Sequence, residues 1–296
     1  WARALCGGRH HSCPRGRTMP QRLASFVIVC VLLSPARVLG ESRPSMLADY
    51  TGHGRSAALE FELGWYTESE GSESVHAFTP ALSVRFAATD HFDLELDWPF
   101  AVVTTSSNAL DEGTNQFSSG NPLAAGYYVS RQRDGYLRLG FGVTAPIANS
   151  DEVLSLAHGV AMRGLWDSWL YLPDSFGIVL PFQIERRMDH LILGADTAFG
   201  ILIPTGDREE SDAVIQLAGL VGGSSGAVSA GARLQLVWVP TSSSDNAQVS
   251  LVPFVQGDFS EGFAYLRFLV NLDEPFGVFG DGADVWGLMI GGGAGF

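Results

Sequence analysis

The chain has 296 residues, 46% of them hydrophobic, and carries 32 acidic against 18 basic side chains for a net charge of −14. An acid excess of that size repels nucleic acid and removes it from the expected partners. The three cysteines are Cys6, Cys13 and Cys30, so any chemistry that needs a thiol is confined to the front of the chain.

The first feature in chain order is an export signal. Residues 23–33 form an apolar run of about eleven residues, preceded by Arg17 and Arg22 and followed by small side chains, which is the layout of a signal peptide. Met19 stands just before it, so residues 1–18 read as an extension upstream of the start. Cleavage is expected after Gly40, with Val38 two residues earlier. A spanning helix would need roughly twenty apolar residues, and Pro35 and Arg37 interrupt the run too early. Cys30 is a poor lipid-attachment site because the bulky Val29 precedes it. The expected division is 1–40 for the extension and signal peptide, 41–56 for an N-terminal periplasmic segment, and 57–296 for the folded body. Cleavage removes all three cysteines and six arginines, leaving twelve basic residues against 32 acidic ones, and no disulfide or cysteine-based zinc site remains.

From Ala57 the hydrophobic period becomes two. Leu59, Phe61, Leu63 and Trp65 share one face of a strand, with Glu60, Glu62 and Gly64 on the other. In the next segment Leu82, Val84 and Phe86 oppose Thr79, Ser83 and Arg85. In the third, Phe92, Leu94, Leu96, Trp98, Phe100 and Val102 oppose Asp93, Glu95, Asp97 and Pro99. A face with three carboxylates must meet water or a polar network, because unpaired charge is too costly to bury in a dry core. Nine more segments follow the same period, roughly 121–131, 136–146, 175–185, 190–203, 213–222, 227–239, 247–258, 263–272 and 285–296. The predicted fold is all-β: one antiparallel up-and-down transmembrane barrel of about twelve strands, each long enough to cross a hydrocarbon layer at a tilt.

The connections follow a parity. Those after even-numbered strands are short: 88–91, 132–135, 186–189, 223–226 and 260–262. Those after odd-numbered strands are mostly longer: 67–74, 104–120, 147–174, 204–212, 240–246 and 273–284. This is the alternation of periplasmic turns and extracellular loops in outer-membrane barrels, with both termini on the periplasmic side. The last strand places Trp286, Leu288, Ile290, Ala294 and Phe296 on one face, similar to the terminal strands that the barrel-insertion machinery reads. Trp65, Trp98, Trp238 and Trp286 fall toward the extracellular ends of lipid-facing rows as an outer aromatic girdle. Phe296, with Phe86 and Phe92, falls at the inner boundary. The expected location is the outer membrane, with its lipid as a partner.

The inward rows then present Glu60, Glu62, Arg85, Asp93, Glu95, Asp97, Arg138, Glu185, Asp196, Arg233, Gln235, Gln256, Arg267 and Asn271 as lumen-lining candidates for solute selectivity, with Arg85 expected to pair with Glu60 and Asp93. These charges either solvate a narrow lumen or bias passage toward cations and polar neutral solutes. A metal site on Asp93, Glu95 and Asp97 is disfavoured: same-face neighbours on a strand lie about 6.6 Å apart, whereas calcium ligands sit within about 2.5 Å of the ion. No cofactor is expected. A histidine with a catalytic partner is not evident either: His76 has lipid-facing parity, His190 sits in a turn, and His158 lies in the long third loop. In that loop Leu165, Trp166, Trp169, Leu170 and Leu172 have helical spacing, which predicts a short amphipathic helix that lies on the membrane, caps the pore or packs on the rim.

Four stretches carry a family resemblance. They are Phe92–Phe100 with its Trp98-Pro99-Phe100 ending, Gly120–Tyr128, Leu137–Pro146 with Gly140 and Gly142, and Ile203-Pro204-Thr205-Gly206-Asp207. Together they resemble the meta-pathway phenol-degradation family of bacterial outer-membrane barrels, described as transporters. Ala145-Pro146-Ile147-Ala148 departs from the Pro-Thr-Gly-Asp usual there. The resemblance implies a barrel and uptake of small, including aromatic, molecules. The expectation is a passive channel or transporter and not an enzyme; a closed structural or surface-interaction barrel is the alternative, and a rim hydrolase a third.

Overall fold

The computed structural model describes residues 57–70, 73–107, 110–132, 134–149, 163–205, 211–240, 246–259, 262–273 and 284–295. The leader, the segment 41–56, His158 and Phe296 lie outside these residues. The side chains of Glu60, Glu62 and Trp65 lie outside the described side chains.

Thirteen strands are described: β1 Ala57–Glu70, β2 Glu73–Thr89, β3 Phe92–Ser107, β4 Leu110–Ser119, β5 Leu123–Gln132, β6 Gly135–Thr144, β7 Ser175–Met188, β8 Leu191–Pro204, β9 Asp212–Ser225, β10 Val228–Trp238, β11 Ala247–Asp258, β12 Gly262–Asn271 and β13 Asp284–Gly295. Every pairing is antiparallel, and the ring closes where β1 meets β13, from Ala58 opposite Gly295 to Ser69 opposite Asp284. β3 carries β2 along one edge. Its other edge is shared by β5 at the short-turn end and β4 at the long-loop end. β4 and β5 therefore act as one stave, interrupted at 120–122, and the barrel has twelve staves. Closure removes the exposed edges that an open sheet would present.

Alternation decides which face looks inward. Leu94 and Leu96 are 44% and 45% exposed on the outside, while Glu95 between them is 8% exposed within. The same parity leaves Phe78, Leu82, Phe86, Leu139, Phe141 and Ile290 outward. An apolar surface that recurs on the described outward rows from β2 to β13 far exceeds what a water-soluble monomer exposes, and it is the surface of a barrel that crosses lipid with its strands. Trp98, Trp238 and Trp286 stand on this outer face.

Two connections differ from the sequence expectation. The loop expected at 104–120 is instead a hairpin, since β3 runs on to Ser107 and pairs with β4 through Val103–Gln116, Thr104–Asn115 and Thr105–Thr114. The loop expected at 67–74 is likewise mostly ladder, with β1 and β2 paired as far as Glu70 opposite Glu73. The reason is common to both. Backbone pairing continues past the apolar band, but once neither face touches lipid the hydrophobic period vanishes, and with it the signal for a strand.

Candidate functional site

The lumen holds charge in layers. Near the short turns, Arg131 grips Asp93 with Nη2 2.8 Å from both carboxylate oxygens, and its Nη1 donates to the Asp90 carbonyl at 2.6 Å. At the same end Arg187 donates to Glu185 at 3.0 Å and the Gln256 amide donates to Asp258 at 2.8 Å. His91 and His190 sit there too, each with Nδ1 against a backbone carbonyl, of Val129 and Ser224 respectively.

One layer further in, Glu95 takes Arg85 Nε at 2.7 Å and Arg138 Nη2. The Arg138 guanidinium lies flat over the Tyr127 ring, 3.4 Å from its centroid. Arg138 is 1% exposed, so two arginines sharing one carboxylate, with the ring beneath, is how a buried charge of this kind is tolerated. Gly140 makes the arrangement possible: it is the cross-strand partner of Tyr127, and any Cβ there would run into the Tyr127 ring. Round the wall, Arg138 Nη1 reaches Gln183 at 3.4 Å, Gln183 pairs in register with Asp196, and Asp196 accepts from Arg233 at 2.9 Å. A belt of polar pairs thus runs from β2 to β10.

The expected pairing of Arg85 with Asp93 is corrected by the register. Arg85 stands opposite Glu95, and Asp93 stands opposite Ala87. Asp93 therefore lies one same-face step from the residue that Arg85 meets.

The other large difference is the segment after β6. Among the described residues 163–172 no amphipathic helix forms: residues 163–167 make turns, followed by a single 3₁₀ turn, Ser168–Leu170. These residues fold into the lumen as a plug. Trp166, Trp169, Leu170, Tyr171 and Leu172 are all buried against inward side chains such as Leu123, Ala125, Val179, Leu202 and Val237. On one side Trp169 lies against Gly177 and Gly200, where an added Cβ at Gly200 would meet its ring at 2.9 Å. On the other side Gly164 reaches the opposite wall, where a Cβ would strike the side chains of Ser250 and Asn271. Leu165 packs against the inward apolar residues of both walls. The plug therefore crosses the lumen from wall to wall. Gly164, Leu165 and Asp167 have φ of 64°, 61° and 55°. A leucine in the left-handed region is held there by its surroundings, and such strain clusters at functional segments.

Asn121 fastens the plug. It is fully buried in the break between β4 and β5, and its amide donates to the carbonyls of Leu172 at 2.6 Å and Trp169 at 3.3 Å. Its Oδ1 accepts from the backbone N–H groups of Ile147 and Ala148, both at 2.9 Å. Arg233 ties the plug to the belt, its guanidinium 4.2 Å from the Trp166 ring.

Between plug and belt lies a cavity of about 150 Å³, lined by Glu95, Asp97, Arg138, Gln183, Asp196, Arg233, Gln235 and Arg267 among others, and by Arg163, Trp166, Asp167 and Trp169 from the plug. Of the residues expected to line the lumen, Arg85, Asp93, Glu95, Arg138, Glu185, Asp196, Gln235, Gln256 and Asn271 are buried inside, and Asp97, Arg233 and Arg267 face the cavity. Asn271 stands at the plug, joined to Ser250 at 2.6 Å. Sequence reasoning passed over Arg131, Tyr127, Gln183 and Gln216. All four have inward parity in strands already recognised, and that parity was the available signal. Asn121 gave no periodic signal, and the helical spacing in the plug pointed to a helix that the described residues do not form.

No family model matches the chain, and no curated protein matches it. Solved structures do. An outer membrane channel from Pseudomonas putida F1 superposes with a TM-score of 0.58 at 13% identity, covering 82% of this chain and 96% of its own. The NanC porin follows with a TM-score of 0.49 at 12% identity, covering 80% of this chain and 100% of its own. The translocator domain of the autotransporter NalP from Neisseria meningitidis gives 0.47 at 11% identity, covering 84% and 90%. At these identities the likeness concerns architecture, and the P. putida structure carries it: the chain has the fold of an outer-membrane β-barrel.

Proposed function

We propose that the protein is an outer-membrane channel for small solutes whose lumen is narrowed by its own loop. The observation that carries this reading is the cavity between plug and belt. It is lined by charged and amide side chains, and a barrel that needed only to fill itself would put apolar side chains there at lower cost. Glu60, Glu62 and the other inward residues named from the sequence are, on this reading, the lining that solutes meet. The similarity in fold to an outer membrane channel supports it, as do the leader expected at 1–40 and a final strand suited to the barrel-insertion machinery. The resemblance to the meta-pathway phenol-degradation family is the finer form of the same reading and supports uptake.

The plug favours a second reading, a closed structural or surface-interaction barrel, because it reaches both walls. Single-channel recording in planar bilayers separates the two. The channel reading expects a small, stable conductance that grows when residues 163–172 are replaced by a short glycine-serine linker. Inserted barrels that stay silent in both forms would establish the closed reading.

A further inference from the structure

One inward row of cross-strand partners is polar at every position but one. The register carries it from Arg138 through Gln183 and Asp196 to Ala218 on β9, then through Gln235 and Ser250 to Asn271 on β12. Arg138 lies near the start of β6, beside a short turn, and Asn271 ends β12 at the long-loop side. Because the strands of a barrel tilt, the row is a slanting path between the two mouths. The charges on it are held by neighbours, Arg138 by Glu95 and Asp196 by Arg233. Around Ala218, where the row is interrupted, the polar atoms are not held.

Gln216, one same-face step from Ala218, is wholly buried, and neither its Nε2 nor its Oε1 has a hydrogen-bond partner among the described residues. Gln235, directly opposite Ala218, has its Oε1 in the same condition. Both border the cavity. As diagonal neighbours on paired strands they stand about 7–8 Å apart at the backbone, a span that the polar groups of one small molecule can bridge. The plug adds a third such group, the Nε1 of Trp169, whose ring stands at Gly200; the partner of Gly200, Val214, is the next inward residue to Gln216. A buried polar atom without a partner costs more than an apolar side chain of the same shape. Three such groups at one place point to a guest that supplies the missing bonds.

The set is neutral and mixed. Gln216 offers a donor and an acceptor, Gln235 an acceptor and Trp169 a donor. Neutral dipoles of this kind do not repay the desolvation of an ion. A hydroxyl donates and accepts through one atom, so it fits either kind of partner and can exchange one for the next along the row; an ether oxygen only accepts. The cavity volume of about 150 Å³ is that of a dry cavity that accommodates benzene, and a four-carbon polyol is of comparable bulk. We infer that the cavity holds a binding site for small uncharged polyols, between Gln216 and Gln235 and beside Trp169. This rests on the channel reading and names its solute class.

The test is block of the salt current through the full-length protein in planar bilayers by erythritol, with dimethoxyethane, an uncharged four-carbon ether without hydroxyls, as the comparison. Erythritol is expected to lower the current saturably, and the ether only in proportion to its concentration. Gln216→Met and Gln235→Met keep the bulk of each side chain without its amide; they break no hydrogen bond at the unpartnered atoms, so these barrels are expected to insert. Each should raise the half-blocking concentration several-fold. Ala198→Leu, which fills the cavity wall opposite Gln216, should abolish the block by occupying the space. Saturable block by both solutes, or by neither, overturns the inference and leaves the channel standing. Absence of any current through the unaltered protein overturns the channel, and the inference with it. Block by erythritol alone that survives all three substitutions overturns the assignment to these residues.

Discussion

The side-chain amide of Asn121 donates to the backbone carbonyl of Leu172 at 2.6 Å, across 51 residues of sequence. This one side chain holds the plug to the wall. Asn121→Ala would leave two backbone N–H groups and two carbonyls without their partner, a loss of about 2–4 kcal/mol in this buried setting. The expected outcome is a lower midpoint of urea unfolding in detergent together with a larger and noisier single-channel current. An unchanged current would mean that Asn121 does not hold the plug in place.

Gly200 offers a second way to move the plug, without touching a hydrogen bond. A valine there places branched carbon against the Trp169 ring, which an added Cβ would already meet at 2.9 Å, and overpacking of this kind costs about 1–3 kcal/mol. Gly200→Val should raise conductance as Asn121→Ala does. Gly226, where a Cβ would meet nothing within 4 Å, supplies the comparison through Gly226→Asn, whose side chain tolerates its φ of 59°. That variant should conduct like the parent.

Arg138 is expected to resist even a conservative change. Arg138→Lys keeps the charge but loses the planar group that both stacks on Tyr127 and bonds Glu95. Stability should fall by about 1–3 kcal/mol, less than for loss of an unshared partner, because Arg85 still holds Glu95. Thermal unfolding followed by tryptophan fluorescence reads this directly, and a midpoint equal to the parent's would show that the stacking contributes nothing.

Orientation in lipid is tested by two residues on the paired strands β3 and β2. Leu96→Arg puts a charge on the outer face, where Leu96 is 45% exposed, at a cost of about 2–4 kcal/mol near the membrane midplane, and should block assembly in vesicles. Ser83→Arg, on the neighbouring inward row that lines the cavity, should assemble and shift selectivity toward anions. The reverse pattern, with Leu96→Arg tolerated and Ser83→Arg unable to insert, would place lipid on the wrong side of the wall.

Most of the wall was legible because lipid on one side and polar side chains on the other impose a period of two, as in Phe92 to Val102. Where lipid ends the period ends, so the β3–β4 hairpin read as a loop although its ladder continues. The plug was illegible for a different reason. Leu165, Trp166 and Trp169 pack against residues far away in the chain, and in a segment packed on all sides inside a barrel the helical spacing of apolar residues does not report its shape. Its aromatic content was visible, its destination was not. The partner of Arg85 was not legible because Asp93 and Glu95 share one face of β3 and parity alone does not choose between them; the register does, setting Arg85 opposite Glu95.

The plug leaves the wall after Thr144 and rejoins it at Ser175, and β6 and β7 are hydrogen-bonded neighbours, Thr144 standing opposite Gly177. Its two ends are therefore already side by side. Shortening, lengthening or exchanging the intervening stretch asks nothing of stave number or stagger, the two quantities that fix a barrel's girth. Permeability in such a scaffold can be rewritten by grafting one insert, while the container around it is inherited unchanged.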